Sequence, residues 1–192
     1  MKKNSIAEIF AKARNDEFID RNDLSFLIRQ ALKRNFPKVK FSVRNPHGSS
    51  ICIEWTDGPS RAQIVEVIGP FETKGFDGSI DLAFCKKFWL YTDGSASHAY
   101  TNGTADSLGY VGESISSAER PDGVPVSNVA GVYISENRNY SVEFLKEVIE
   151  SLKGKWDLEN VTVEDSHWGG RIRTDSWDKE RLVYQEAQVI SK

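Results

Sequence analysis

The chain has 192 residues, of which 25 are Lys or Arg and 28 are Asp or Glu, so its formal net charge is −3 at pH 7. This length allows a well-buried domain that folds without disulfides or bound metals. The acidic balance excludes a polycation that coats nucleic acid along its whole surface. Any contact with DNA or RNA would therefore be local.

Basic residues concentrate in the N-terminal part of the chain. Residues 1–40 hold ten Lys or Arg and five Asp or Glu, a net charge of +5. Because the whole chain has a net charge of −3, the remaining residues carry −8. Solvated helix faces are the usual explanation of such a bias, and a patch that contacts phosphates is the alternative. For that alternative we predict a weak nucleic-acid contact through five side chains: Arg29, Lys33, Arg34, Lys38 and Lys40.

The cysteine and hydropathy patterns place the chain among cytoplasmic proteins. Cys52 and Cys85 lie in apolar runs without a CxxC motif or a Cys/His cluster, which predicts reduced thiols in the core. Charged residues interrupt the N-terminal apolar pattern, and there is no run of about 18 apolar residues, so secretion and membrane insertion are disfavoured. We expect neither a cofactor nor a bound metal.

The first half of the sequence predicts the element order ααββα. Residues 5–14 have the spacing of an amphipathic helix, and a second helix begins at a cap, Asn22 or Asp23, and ends before Pro37. Two alternating apolar runs within residues 40–59 then predict a β-hairpin with one inward face, followed by a helix.

The second half predicts another hairpin and a βαββ extension. Residues 84–100 have the alternation of a hairpin, with Asp93 and Gly94 supplying the positive backbone angles of its turn. Residues 101–128 are rich in Gly, Ser, Asp and Pro and predict a long loop that is either functional or mobile. Further elements are expected as a strand over 131–135, a helix capped by Ser141, strands at 161–163 and 171–174, and a short helix or strand after Lys179.

The predicted fold class is therefore α+β, with antiparallel hairpins packed against amphipathic helices. We predict two parts, a module over residues 1–112 and a C-terminal extension over residues 113–192 that shares its core. A helix followed by a hairpin occurs in both parts, so the chain is either a duplicated αββ unit or a chance similarity.

Short motifs in the first part resemble a known family. They are residues 40–44 (KFSVR), 48–51 (GSSI), 55–59 (WTDGP), 75–81 (GFDGSID) and the hairpin from Trp89 to Gly94. In this order, over about residues 18–112, they resemble the large polyvalent protein-associated domain of type 29. Such domains occur in long polyvalent proteins of phages and conjugative plasmids. The resemblance implies a mobile-element origin, an α+β fold and action in the cytoplasm of a host bacterial cell, but no catalytic residues.

A nuclease is the enzymatic alternative. The run YTDGS around Asp93 resembles the first strand of ribonuclease H, and Glu143 and Asp165 follow in the order that such Mg²⁺-dependent enzymes use. However, the same run suits a hairpin turn, and only 27 residues (192 − 165) follow Asp165. We therefore expect no enzyme, and we keep Asp93, Glu143 and Asp165 as the catalytic candidates of the alternative.

Binding residues are predicted near the C-terminus, where two tryptophans and two arginines are close in sequence: Trp168, Arg171, Arg173 and Trp177. Tryptophan and arginine dominate interface energies when they lose water on binding. The competing reading is that the tryptophans pack on the sheet edge and the arginines pair with nearby aspartates, namely Asp165, Asp175 and Asp178.

The function predicted from these observations is stoichiometric binding of a host protein or ribonucleoprotein. Inhibition of a defence complex, of the anti-CRISPR type, is the most specific form of this prediction. The alternatives are a ribonuclease H-like nuclease and a DNA-associated accessory protein.

Overall fold

The computed structural model describes residues 5–46, 48–78, 81–99 and 117–191. In chain order the elements are α1 (Ile6–Arg14), α2 (Arg21–Asn35), β1 (Ser42–Arg44), β2 (Ser50–Thr56), α3 (Arg61–Ile68), a 3₁₀ turn (Gly69–Phe71), β3 (Lys74–Asp77), β4 (Leu82–Cys85), β5 (Phe88–Leu90), β6 (Ala96–His98), β7 (Val124–Val126), β8 (Tyr133–Asn139), α4 (Val142–Leu152), β9 (Thr162–Ser166), β10 (Gly169–Arg173) and α5 (Trp177–Val189).

The predicted α+β class is confirmed. The order α1, α2, β1, β2, α3 is the expected ααββα module, and β8, α4, β9 and β10 form the expected βαββ run. The segment after Lys179 belongs to α5, a helix that begins at Trp177, so the strand alternative for this segment is wrong.

Helix caps explain where the first two helices begin. The Ser5 side chain accepts a hydrogen bond from the backbone N–H of Glu8 at the start of α1. At α2 the cap is Asp20, whose carboxylate accepts from the N–H groups of Asn22 and Asp23, so the prediction of a cap at Asn22 or Asp23 is wrong. Asp23 instead occupies the third helical position, where its buried carboxylate pairs with Lys12 at 2.7 Å.

The central sheet has the strand order β1-β2-β8. β1 and β2 form the predicted antiparallel hairpin, with Val43 opposite Ile53, and the inward residues of β2 are buried as expected. β8 joins the other edge of β2 in parallel, with Ile51 opposite Ile134. The predicted strand over 131–135 is therefore observed over Tyr133–Asn139, because every residue of β2 from Ser50 to Thr56 pairs with a residue of β8.

The second hairpin lies in another three-stranded sheet, with the order β6-β5-β7. Leu90 pairs with Ala96 across a turn in which only Gly94 has a positive φ, +78°, so the expectation that Asp93 shares this conformation is wrong. Residues 101–116 of the predicted loop lie outside the described residues. The rest of that loop contains β7, which pairs with β5 and makes the loop assignment wrong there.

The buried side chains form two clusters. The first cluster joins α1, α2, α3 and both three-stranded sheets around residues such as Leu27, Ile53 and Phe88. The second joins α4, α5 and the β9–β10 hairpin around residues such as Leu145 and Val183. Each cluster buries large aliphatic side chains almost completely, which supplies most of the free energy that favours folding.

The cysteines lie outside both clusters, so their prediction as core thiols is wrong. Cys52 is half-buried, and its Sγ lies 2.9 Å from Ser135 Oγ. Side chains alternate along β2, so the residues beside Ile51 and Ile53 face away from the core. Cys85 is exposed. In the described part of the chain, no helix combines the length and apolar character that a membrane crossing requires.

Candidate functional site

The predicted binding residues lie on the β9–β10 hairpin and at the start of α5. His167 and Trp168 form the two-residue turn between the paired residues Ser166 and Gly169. The Ser166 hydroxyl donates to the Gly169 carbonyl at 2.6 Å and accepts from the Trp168 N–H at 3.3 Å, which fixes the turn. Trp168 is 78% exposed, and its ring lies edge-on to His167 with 4.7 Å between centroids.

Strand alternation sets the direction of the two arginines. Ile172 is buried against the second cluster, so Arg171 and Arg173 on either side of it face solvent. Arg173 Nε donates to Glu164 Oε2 at 2.6 Å. Among the described residues, no carboxylate lies within ion-pair distance of Arg171.

Trp177 is the first residue of α5 and is 87% exposed. The competing reading of this region required buried tryptophans and arginines paired with Asp165, Asp175 or Asp178. Both tryptophans are instead the most exposed large apolar side chains of the described chain, and the one arginine ion pair is made with Glu164. We call Trp168, Arg171, Arg173 and Trp177 the tryptophan–arginine surface.

The hairpin is held against the end of β8. The Gly170 N–H donates to the Tyr140 carbonyl at 2.7 Å. Gly169 has φ +108°, and a Cβ at this position would lie 2.5 Å from the same carbonyl oxygen. This close approach requires glycine. It also places Trp168 beside a polar groove of about 490 Å³ that Arg61, Glu136 and Asn137 help to line.

Arg138 connects the two clusters, and no sequence pattern had singled it out. Its guanidinium donates to the carbonyls of Asp57 and Gly58 before α3, each at 3.0 Å, and to those of Ala187 at 2.7 Å and Ile190 at 2.8 Å at the end of α5. Burial lowers the pKa of this guanidinium. An arginine in a strand carries no sequence signal for such a role, because its acceptors come from distant segments.

Asp93 lies at the turn between β5 and β6, as the hairpin interpretation expected. Its carboxylate accepts from the Ser95 N–H at 2.9 Å, from the Ser95 hydroxyl at 2.6 Å and from Arg120 at 3.0 Å. Desolvation alone would raise the pKa of Asp93, but these hydrogen bonds from Ser95 and Arg120 outweigh it and lower the pKa to about 2. The charged carboxylate therefore stabilises the turn through these hydrogen bonds.

The nuclease candidates do not come together. Asp93 lies in a turn attached to the first cluster, Glu143 is exposed in the first turn of α4, and Asp165 is exposed in β9. Within the described ranges, no group of three His, Cys, Asp or Glu side chains is arranged to hold a metal ion. Of the histidines, His47 lies outside the described residues, while His98 lies in β6.

The five basic side chains predicted to contact nucleic acid divide into two groups. Arg29 donates to the Val43 carbonyl at 2.5 Å, and Arg34 donates to the Asp93 carbonyl at 2.8 Å, so both hold the fold together. The remaining three are exposed and, in the described parts of the chain, have no carboxylate within 4.0 Å: Lys33, Lys38 and Lys40.

Together, the fold and its surface define a small α+β protein that exposes aromatic and basic side chains on the β9–β10 hairpin and at the start of α5. Residues 19–141 match the family described as large polyvalent protein associated domain 29. The chain belongs to this family, which confirms the resemblance seen in the motifs and associates the protein with phages and other mobile elements. The match extends through β8 to the cap of α4. Neither curated proteins nor solved structures gave a match.

Proposed function

We propose that this protein acts by stoichiometric binding of a host ribonucleoprotein, and that the tryptophan–arginine surface is the contact. The observation that carries the proposal is the exposure of Trp168 and Trp177, at 78% and 87%. Within the proposal, the bound complex is a defence nucleoprotein such as a CRISPR effector, and binding blocks its access to target nucleic acid.

Exposed indoles are costly unless a partner covers them. Burial of apolar surface contributes about 25 cal/mol per Å², and a tryptophan offers roughly 150–250 Å². Two such side chains can therefore contribute several kcal/mol to an interface, which is the magnitude typical of binding hot spots. The Arg171 guanidinium, which has no ion-pair partner among the described residues, adds a donor for an acidic or phosphate-bearing surface.

The acidic balance of the rest of the chain supports this mode of action. Residues after position 40 carry a net charge of −8, the difference between the total of −3 and the +5 of residues 1–40. A negatively charged protein that docks on a nucleic-acid channel competes with the polyanion for the same cations.

The experiment is an affinity purification followed by a titration. The protein is used to capture complexes from a bacterial lysate, and any guide-RNA-containing effector recovered is purified and tested for target binding. Inhibition should reach its end point at a fixed molar ratio, because a stoichiometric blocker does not turn over. Recovery of no RNA-containing complex, or inhibition that continues far below molar equivalence, contradicts the proposal.

A triple variant tests the surface. Trp168→Ala with Arg171→Ala and Arg173→Ala should abolish capture without lowering the melting temperature, since these side chains are exposed. The matched control is Trp156→Ala with Lys153→Ala and Lys155→Ala, which removes another exposed tryptophan and two cations after α4. Capture that survives in the triple variant, or that is lost equally in the control, assigns the contact elsewhere and refutes the assignment to this surface.

A further inference from the structure

A second candidate binding site lies on the first cluster, away from the β9–β10 hairpin. It is a groove of about 780 Å³ between the segment that joins α2 to β1 and the end of β2. Lys38 and Lys40 of the joining segment line it, together with Thr56 at the end of β2 and Asn139 at the end of β8. This volume is within the range of about 300–1,000 Å³ that ligand sites usually have.

The positive charge of the groove has no ion-pair partner among the described residues. The two lysines that line it, Lys38 and Lys40, are exposed, and no carboxylate of the described residues lies within 4.0 Å of either ammonium group. Glu54 also lines the groove, but its carboxylate is paired with Arg44. The groove therefore presents two free positive charges to a ligand.

An aromatic wall lies beside these charges. Phe41 lines the groove and is half-buried. Its ring makes tilted contacts with those of Phe36 and Trp55, each with 6.0 Å between centroids, and these contacts hold its position. Ser42, Thr56 and Asn139 add hydroxyl and amide groups along the walls.

Cations next to a fixed aromatic ring, with polar groups around them, are the arrangement by which proteins bind single-stranded nucleic acid. We propose that this groove binds a single-stranded segment of DNA or RNA, with phosphates on Lys38 and Lys40 and a base against Phe41. Duplexes are disfavoured, since their bases are stacked and paired and cannot reach the ring. The site is separate from the tryptophan–arginine surface, so it goes beyond the proposed function.

The test is a fluorescence anisotropy titration with labelled oligo(dT) and oligo(rU) of about eight nucleotides, the size range of small single-strand sites. The full chain should bind at least one of the two, and the pair of probes distinguishes DNA from RNA. The affinity should fall with salt with a log–log slope of about −1.4, because two phosphate contacts contribute about −0.7 each.

Charge reversal assigns the site. Lys38→Glu with Lys40→Glu should weaken binding at least about tenfold, since it replaces two phosphate contacts by repulsion. The matched control is Lys146→Glu with Lys155→Glu, which makes the same change in net charge at exposed positions in α4 and after it. The control should bind within about twofold of the unchanged chain, because screening limits the reach of distant charges to about 10 Å.

Phe41→Leu tests the base contact, and should weaken binding while leaving the salt slope unchanged. Melting curves show whether this variant is folded, and the lysine pair tests the site independently if it is not. Absence of binding to both probes, equal loss in the two charge-reversal variants, or equally tight binding of polyglutamate of the same length each overturns the proposal. The last result would indicate an acidic protein partner instead of nucleic acid.

Discussion

At the scale of single residues, Asp93 shows that the neighbours of a carboxylate decide what it does. The run YTDGS suits both a metal-binding strand and a hairpin turn. The structure shows the turn, in which Ser95 and Arg120 both donate hydrogen bonds to the carboxylate. Arg120 belongs to a segment 27 residues further along the chain. Local sequence therefore leaves two interpretations open, and the pairing of β5 with β6 and the contact from Arg120 distinguish them.

The low pKa of Asp93 predicts a pH dependence of stability. Its pKa is about 2 in the folded protein against an ordinary value of 3.8. A carboxylate with a lowered pKa stabilises the folded state above the ordinary value, and this contribution is lost as pH falls through the folded value. We expect Asp93→Asn to be less stable than the unchanged chain at neutral pH, and the difference to shrink between pH 3.8 and about 2.

Thermal melts of both proteins over this pH range measure the difference. Arg120→Gln serves as the companion variant, since it removes one cause of the low pKa while keeping the carboxylate, and it should show a weaker dependence on pH. If the difference in stability between Asp93→Asn and the unchanged chain stayed constant from neutral pH to about 2, the role given to Asp93 would be contradicted.

At the scale of elements, the β9–β10 hairpin depends on the close approach of Gly169 to β8. An alanine there would combine a positive φ of +108° with a Cβ at 2.5 Å from the Tyr140 carbonyl oxygen. We expect Gly169→Ala to lower the free energy of unfolding by about 1–3 kcal/mol, the usual cost of such backbone strain. Urea denaturation measures it.

Gly154→Ala is the matched control for this prediction. Gly154 follows α4, and a Cβ added there meets nothing within 4 Å. Its free energy of unfolding should stay within about 0.5 kcal/mol of the unchanged chain, as for most surface substitutions. Equal effects of the two substitutions would show that the approach of the hairpin to β8 is unimportant for stability.

Most elements could be predicted from local patterns. Alternation predicted the buried face of β2, and Ser141 correctly marked the start of α4. The strand β7 falls within the predicted loop, because three residues that include Pro125 give no alternation to detect. The parallel pairing of β8 with β2 was also missed, since register between strands about 80 residues apart depends on the whole fold and not on either strand.

At the scale of the whole molecule, two hydrophobic clusters are joined through Arg138. The carbonyls that it binds belong to the turn before α3 and to the end of α5. The Ser141 N–H also donates to the Asp57 carboxylate at 2.8 Å, which fixes the start of α4 to the same turn. The hydrogen bonds of Arg138 and Ser141 thus connect the elements that carry the two clusters.

Arg138→Met should therefore be strongly destabilising. The substitution keeps much of the apolar stem but leaves several half-buried carbonyl oxygens without their donor, which costs about 1–3 kcal/mol for each group that water cannot reach. We expect a loss of about 2–4 kcal/mol in the free energy of unfolding, measured by urea denaturation. Arg171→Met, on an exposed arginine, is the control and should change stability by less than about 0.5 kcal/mol.

Sequence patterns alone are enough to predict the α+β class, the family, the main helices and hairpins, and the candidate residues of the tryptophan–arginine surface. It could do so because amphipathic periodicity, caps and turns are local properties of the chain. Only the packed fold establishes the exposure of Trp168 and Trp177, the hydrogen bonds of Arg29 and Arg34 to backbone carbonyls, and the groove lined by Lys38. Exposure and pairing depend on which distant segments pack together, and no local pattern encodes that.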